Sequence, residues 1–229
     1  MKLNRYGTKF LIESLKKKYS YNFKFKGVPI IQYPQDIFSL MEITWKIKPD
    51  LIIDVGIAHG GSLLLNAANL HLLNQSEKKK VNRKVLGIDV FLRRKNKKKI
   101  VRDSLYKYIK IIEGSSVSED TKSKVLSYVT NKKKILVILD SNHTHEHVLK
   151  ELEFYSQLVS KGSYCIVYDT IIELMPKNYY KNRDWDKGNN PYTAVKTFLK
   201  KNKNFKIDKN IQNKLVITAG IDGYLKRVK

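Results

Sequence analysis

Two apolar runs in this 229-residue chain end on a carboxylate. Ile135–Val148 reads ILVILDSNHTHEHV, with Asp140 closing the run, His143 three residues on and His147 four beyond that. The run beginning at Tyr164 closes on Asp169-Thr170. Two carboxylates at neighbouring strand tips, with oxygen donors beside them, suit a hard divalent cation such as Mg²⁺, which favours a few carboxylates plus water and substrate oxygens. A cation held by Asp140 and Asp169 would acidify a bound hydroxyl. His143, with an unperturbed pKa of about 6.5, is then the natural general base. The imidazoles at 143, 145 and 147 leave other metals open. Zinc is disfavoured because H-E-x-x-H is missing and alternate helical residues do not share a face. Iron held by two histidines and a carboxylate is a further alternative. His145 is expected to face solvent, and His147 to be packed or hydrogen-bonded.

A second chemical signal lies at Leu51–Ser62, LIIDVGIAHGGS. An apolar run leads to Asp54, Gly56 permits a tight turn, and Gly60 and Gly61 permit close backbone approach. A helix beginning near Ser62 would present free N–H groups to a ligand. The pattern G-x-x-x-G-G is not the dinucleotide fingerprint. It resembles motif I of the class I methyltransferases, where the acid lies near the methionine amino group of S-adenosylmethionine (SAM) and the glycines face methionine and ribose. Asp89, thirty-three residues after Gly56, ends the next strand and can accept two hydrogen bonds from a ribose diol. Ser115 and Ser116 follow a third strand, where they could meet an adenine edge or cap a helix.

Positioning these residues requires a sheet. Strands are expected at Leu51–Val55, Val85–Val90, Tyr108–Ile112, Ile135–Asp140, Tyr164–Asp169, Phe205–Asp208 and Leu215–Ala219. Segments long enough for crossover helices separate the first six, the pattern of an α/β fold. The expected architecture is a Rossmann-like, seven-stranded, mostly parallel sheet with helices on both faces. Residues 1–50 read as a cap, with helices at Lys9–Tyr19 and Gln35–Lys46 around an aromatic extended stretch. Residues 51–229 read as the SAM-binding part of a single structural domain.

Composition bounds the partners. The net charge is +24, and only seven of the 45 basic residues are Arg. Nucleic-acid readers usually employ Arg and aromatics, so a lysine-rich balance weakens that reading. An RNA-directed methyltransferase or a basic nucleic-acid-binding protein nevertheless stands as the alternative function. The basic clusters Lys78–Lys84 and Arg93–Arg102 are solvated surface or the contact for an acidic partner. A single cysteine, Cys165, allows no intramolecular disulfide and reads as a core residue of a reducing compartment. No apolar run reaches the ~20 residues of a membrane span, and the N-terminus lacks the apolar core of a signal peptide. A cytoplasmic protein is expected.

Taken in order, the residues resemble the cephalosporin hydroxylase family, from about Gly27 to Arg227. The resemblance runs through Gly27-Val28-Pro29, Gln32, Pro34, Asp36 and Glu42, then Lys48-Pro49-Asp50 and Asp54–Ser62. It continues with Leu139-Asp140-Ser141-x-His143, His147-Val148, Glu151-Leu152, Tyr155, Asp169-Thr170 and Pro191. Ala194-Val195, Phe198-Leu199 and Gly223–Arg227 complete it. Despite its name, that family comprises SAM-dependent O-methyltransferases, including rhamnosyl O-methyltransferases and a cephamycin-pathway enzyme. It implies Mg²⁺-assisted transfer of a methyl group to a sugar or glycosylated metabolite of a surface-glycan or natural-product pathway. It also implies assembly as a homo-oligomer. One departure stands out: the family has Glu-Asp-Thr at the fifth strand tip, and this chain has Tyr168-Asp169-Thr170. One carboxylate is lost there, which implies either weaker metal binding or a shell completed by Thr170 and water. The aromatic stretches Tyr19–Tyr33 and Tyr179–Tyr192 offer stacking surfaces for a sugar ring, or loop packing.

Overall fold

The computed structural model describes residues 2–77 and 81–229. The chain opens with helix α1 (Lys2–Lys16), a short hairpin of β1 (Lys24–Phe25) and β2 (Val28–Pro29), and helix α2 (Pro34–Ile47). An alternation of strand and helix follows: β3 (Leu51–Val55), α3 (Gly61–Ser76), β4 (Lys84–Asp89), α4 (Arg94–Arg102), β5 (Ile109–Glu113), α5 (Glu119–Val129), β6 (Ile135–Leu139), α6 (His145–Leu158) and β7 (Tyr164–Val167). The chain closes with α7 (Pro191–Lys201), β8 (Phe205–Ile207), α8 (Lys209–Leu215) and β9 (Tyr224–Arg227). Local chemistry sets several helix starts. Ser118 caps α5 by accepting from the Thr121 N–H. Asn190 and Thr193 form a reciprocal capping box at α7, with Pro191 in the first turn.

The seven-stranded sheet runs β5-β4-β3-β6-β7-β9-β8. The first five strands in that order are parallel, and β9 lies antiparallel between β7 and β8. Both faces are covered. Leu51, Ile53 and Val55 of β3 join one apolar cluster and Ile52 joins the other. All residues of β3 and β6 are buried, which is why these strands read as continuous apolar runs rather than as alternation. Cys165 lies fully buried in β7 as a free thiol.

Two expectations need correction. The last strand is not Leu215–Ala219. In that run Val216 takes a positive φ of 62°, and Thr218 and Ala219 donate to the buried carboxylate of Asp36. The strand is Tyr224–Arg227, whose Leu225 pairs with Cys165 on one side and Ile207 on the other. The first helix begins at Lys2 rather than Lys9. The basic segment Lys78–Lys84 falls partly outside the described residues. In α4, Arg93–Lys95, Lys97–Lys99 and Arg102 are exposed. No helix among the described residues is long and apolar enough to cross a membrane.

The parallel strands all end at one edge of the sheet. Register places Val55 beside Leu139 and Leu139 beside Val167. Asp140 and Tyr168 therefore leave the sheet side by side, with Asp140 N–H donating to Val55 O at 2.8 Å and Tyr168 N–H to Leu139 O at 3.0 Å. A crevice at this carboxyl edge is where open α/β sheets bind ligands.

Candidate functional site

The glycine turn forms one wall of the crevice. Gly56 has φ +103° and Gly60 φ +96°, conformations that an L side chain resists. Neighbouring backbone also demands these glycines. A Cβ at Gly56 would stand 2.0 Å from the Asp140 carbonyl oxygen, and one at Gly61 would stand 2.3 Å from the Pro29 carbonyl oxygen. The turn is tied down by Asp89, whose Oδ2 accepts the N–H groups of Ile57 and Ala58, both at 2.9 Å. Its Oδ1 accepts the Phe91 N–H at 3.1 Å. Asp54 lies beneath the turn, 1% exposed, and accepts from Asn66 Nδ2 at 3.1 Å. Burial pushes its carboxyl up to about 7, against the opposing hydrogen bonds from Asn66 and Ser62.

Beside the turn opens a chamber of about 340 Å³, bounded by Gly56, Asp89, Ser115, Ser116, Asp140 and His147 among others. Helix capping falls to Ser118, so Ser115 and Ser116 remain as chamber walls. A buried network underlies them. Ser116 Oγ donates to Glu151 Oε1 at 2.5 Å and Ser141 Oγ donates to the same oxygen at 2.6 Å. His147 Nε2 is 2.9 Å from Ser116 Oγ and 3.3 Å from Glu151 Oε1. Glu151 has no exposed surface, and Tyr155 closes the network by donating to Ser116 O at 2.9 Å. His147 and Glu151 stand four residues apart on one face of α6, a spacing readable in sequence. The convergence of both serines on them was not.

At the centre of the crevice Asp140, His143 and Asp169 each offer a ligand atom, all within 4.8 Å of one another. His143 Nε2 lies 3.2 Å from Asp169 Oδ2. Asp169 takes φ 55°, a left-handed conformation that Asp tolerates better than most residues. It turns the chain from β7 into the 3₁₀ segment Thr170–Leu174. The Asp140 carboxyl is raised well above the ordinary range by burial, then by the negative charges of Asp169 and Asp54, against a hydrogen bond from Gln32. Gln32 is itself 4% exposed, and its Oε1 has no hydrogen-bond partner among the described residues. Crowded carboxylates beside an unpaired buried acceptor oxygen fit a hard divalent cation, whose charge would relieve their repulsion.

Not every expected residue joins this group. The Thr170 hydroxyl is buried and donates to Ala219 O at 3.1 Å. Tyr168 is 1% exposed and meets Tyr224 edge-on at 6.4 Å. His145 does not face solvent freely: its Nδ1 is 2.8 Å from Thr193 Oγ1, and its N–H donates to Asn189 Oδ1 at 2.9 Å. Trp185, within the aromatic stretch, meets the His143 ring edge-on at 4.8 Å and borders both the chamber beside the glycine turn and an outer chamber.

Residues 17–228 match the model of the Rhamnosyl O-methyltransferase/CmcI family. A rhamnosyl O-methyltransferase of Mycobacterium tuberculosis H37Rv is 27% identical over 208 residues, covering 89% of this chain and 77% of that protein. One from Mycobacterium leprae is 24% identical over 206 residues, covering 88% and 81%. Among solved structures, "cmcI-D160 Mg-SAM" superposes with a TM-score of 0.65 at 17% identity, covering 91% of this chain and 78% of its own. An O-methyltransferase from Bacillus cereus in complex with SAH, the demethylated product of SAM, gives 0.56 at 13% identity, covering 90% and 88%. The seven-stranded, mostly parallel sheet with helices around it is the Rossmann-like fold that these neighbours share. The chain belongs to the Rhamnosyl O-methyltransferase/CmcI family, also called the cephalosporin hydroxylase family.

Proposed function

We propose that this chain transfers the methyl group of SAM to a hydroxyl of a sugar or glycosylated metabolite, assisted by a divalent cation such as Mg²⁺. The observation that carries the reading is the double role of Asp140. It borders the glycine-turn chamber and also stands within the Asp140, His143 and Asp169 group, so donor and acceptor would meet at one residue. The names of the relatives, rhamnosyl O-methyltransferases, support a sugar acceptor.

In this reading Gly56, the N-terminus of α3 at Gly60, Gly61 and Ser62, and the floor residue Asp54 seat the methionine end of SAM. Asp89, Ser115 and Ser116 seat its nucleoside. Asp140 and Asp169 would hold the cation, whose positive charge would make the acceptor hydroxyl more acidic. SAM seated there would supply an electrophilic methyl on sulfur, which the acceptor oxygen would take up as the S–CH₃ bond breaks, with sulfur keeping the electron pair to leave SAH. His143 receives the hydroxyl proton, with Asp169 orienting its ring. The fixed walls align the reactants, and alignment supplies much of the rate in such transfers. Residues 1–50 act as a cap, a role supported by the seating of Pro29 against Gly61 and of Gln32 beside Asp140.

The test is calorimetric uptake of SAH, followed by mass spectrometry of candidate glycosides incubated with SAM with and without Mg²⁺. A folded protein that takes up neither SAM nor SAH would end the reading.

A further inference from the structure

Past His143, away from the glycine turn, the crevice widens into an outer chamber of about 440 Å³. Aromatic walls, including Tyr33, Tyr180 and Trp185, surround it, and Asp169 is the one acid lining it among the described residues. Three cations reach it. Lys16 is paired with Glu13 at 2.7 Å. Lys18 and Arg183 have neither a carboxylate nor a hydrogen-bond acceptor for their side chains among the described residues. Arg183 is held on the wall by Trp185, its guanidinium carbon 5.1 Å from the ring centroid, and Trp185 in turn braces His143.

General basicity accounts poorly for this placement. The chain has 38 Lys and seven Arg, and one of those few Arg stands stacked on an aromatic ring at the acceptor end of the site. A planar fork of N–H donors matches phosphate oxygens, and a nearby ammonium supplies a second charge. With a cation at Asp140 and Asp169 the chamber would carry no net negative group. Resting on the methyl-transfer reading above, we propose that the acceptor is a sugar phosphoester, with its phosphate or diphosphate seated by Lys18 and Arg183 and its reacting hydroxyl at His143.

The first test titrates inorganic pyrophosphate into the full chain saturated with SAH, in chelator and moderate salt. We expect saturable binding, weakened ~10–100-fold in Arg183→Gln and in Lys18→Gln, as loss of a charge-assisted contact implies. The double variant Lys98→Gln/Lys99→Gln, on the exposed face of α4, should bind as the wild type does. Absence of pyrophosphate binding by SAH-loaded protein, or equal weakening in the α4 variant, overturns the proposal while leaving SAH uptake, and so methyl transfer, intact. The second test compares a nucleoside-diphosphate sugar, a lipid-diphosphate-linked sugar and the matching neutral glycoside as acceptors. Preference for either phosphorylated acceptor, with KM rather than kcat raised in Arg183→Gln, supports the proposal and identifies the source. Equal or better use of the neutral glycoside overturns it.

Discussion

Gly56 and Asp140 touch backbone to backbone: a single carbon added at Gly56 would come within 2.0 Å of the Asp140 carbonyl oxygen. The glycine turn and the acid that follows β6 are thus one packed unit. Gly56→Ala must displace Asp140 while also forcing an alanine to φ +103°. Overpacking costs about 1–3 kcal/mol and a left-handed residue roughly 1–2 kcal/mol more. A thermal scan should show a lower Tm, and calorimetry a weakened SAH affinity. Wild-type SAH affinity in this variant would refute the coupling.

On the proposed reading, Asp169→Asn removes one of the two carboxylates that would hold the cation and leaves the chamber beside the glycine turn untouched. Charge stabilisation by a metal is worth several kcal/mol, so turnover should fall ~100-fold or more. Half-saturation by Mg²⁺ should move to higher concentration, and SAH affinity should hold. An unaltered Mg²⁺ titration curve would remove Asp169 from the metal site.

His143→Gln keeps a polar side chain beside Trp185 but cannot take up a proton. General-base catalysis contributes ~10²–10⁴-fold, so kcat should drop within that range at saturating Mg²⁺. If the loss is instead recovered by raising Mg²⁺, His143 is a ligand rather than the base.

Glu151 gathers Ser116, Ser141 and His147 beneath the chamber beside the glycine turn without an exposed atom of its own. Glu151→Gln replaces one acceptor oxygen with a donor at nearly constant volume. Losing about 1.4 kcal/mol of organised hydrogen bonding corresponds to roughly a tenfold weaker SAH affinity. Calorimetry at fixed pH reads this directly, and unchanged affinity would reduce the network to a packing feature.

Asp54 makes stability depend on pH. Its folded value is about 7, against about 4 in an unfolded chain. Between those values the native state holds the proton more tightly, so its contribution is fully present below about pH 4 and is lost as pH rises through about 7. The loss is on the order of 4 kcal/mol for a three-unit difference. Asp54→Asn should therefore flatten the decline in chemical-denaturation midpoint between pH 5 and pH 8, measured in EDTA. Parallel wild-type and variant curves would contradict the assignment.

Sequence alone determined the ingredients. Strands β3 and β6, buried on both faces, are written as unbroken apolar runs, and each is followed by candidate site residues. Asp140, His143 and Asp169 could therefore be placed at strand tips from local pattern. Tertiary structure decided what those residues do to one another. The apolar run Leu215–Ala219 looked like a strand, yet Asp36, far away in sequence, takes its polar groups. The half-charged Tyr224–Arg227 fills the gap between β7 and β8 instead, because pairing with Cys165 is a long-range contact that no local period encodes. Gly60 and Gly61 were readable as ligand-facing, but Ile100 and Pro29 crowd them from within. Glu151 was legible only as part of the family resemblance, because a buried carboxylate acquires meaning only when two serines from separate loops and a histidine of its own helix converge on it. Residue type and period set which groups can react; the packing of distant segments sets which of them meet.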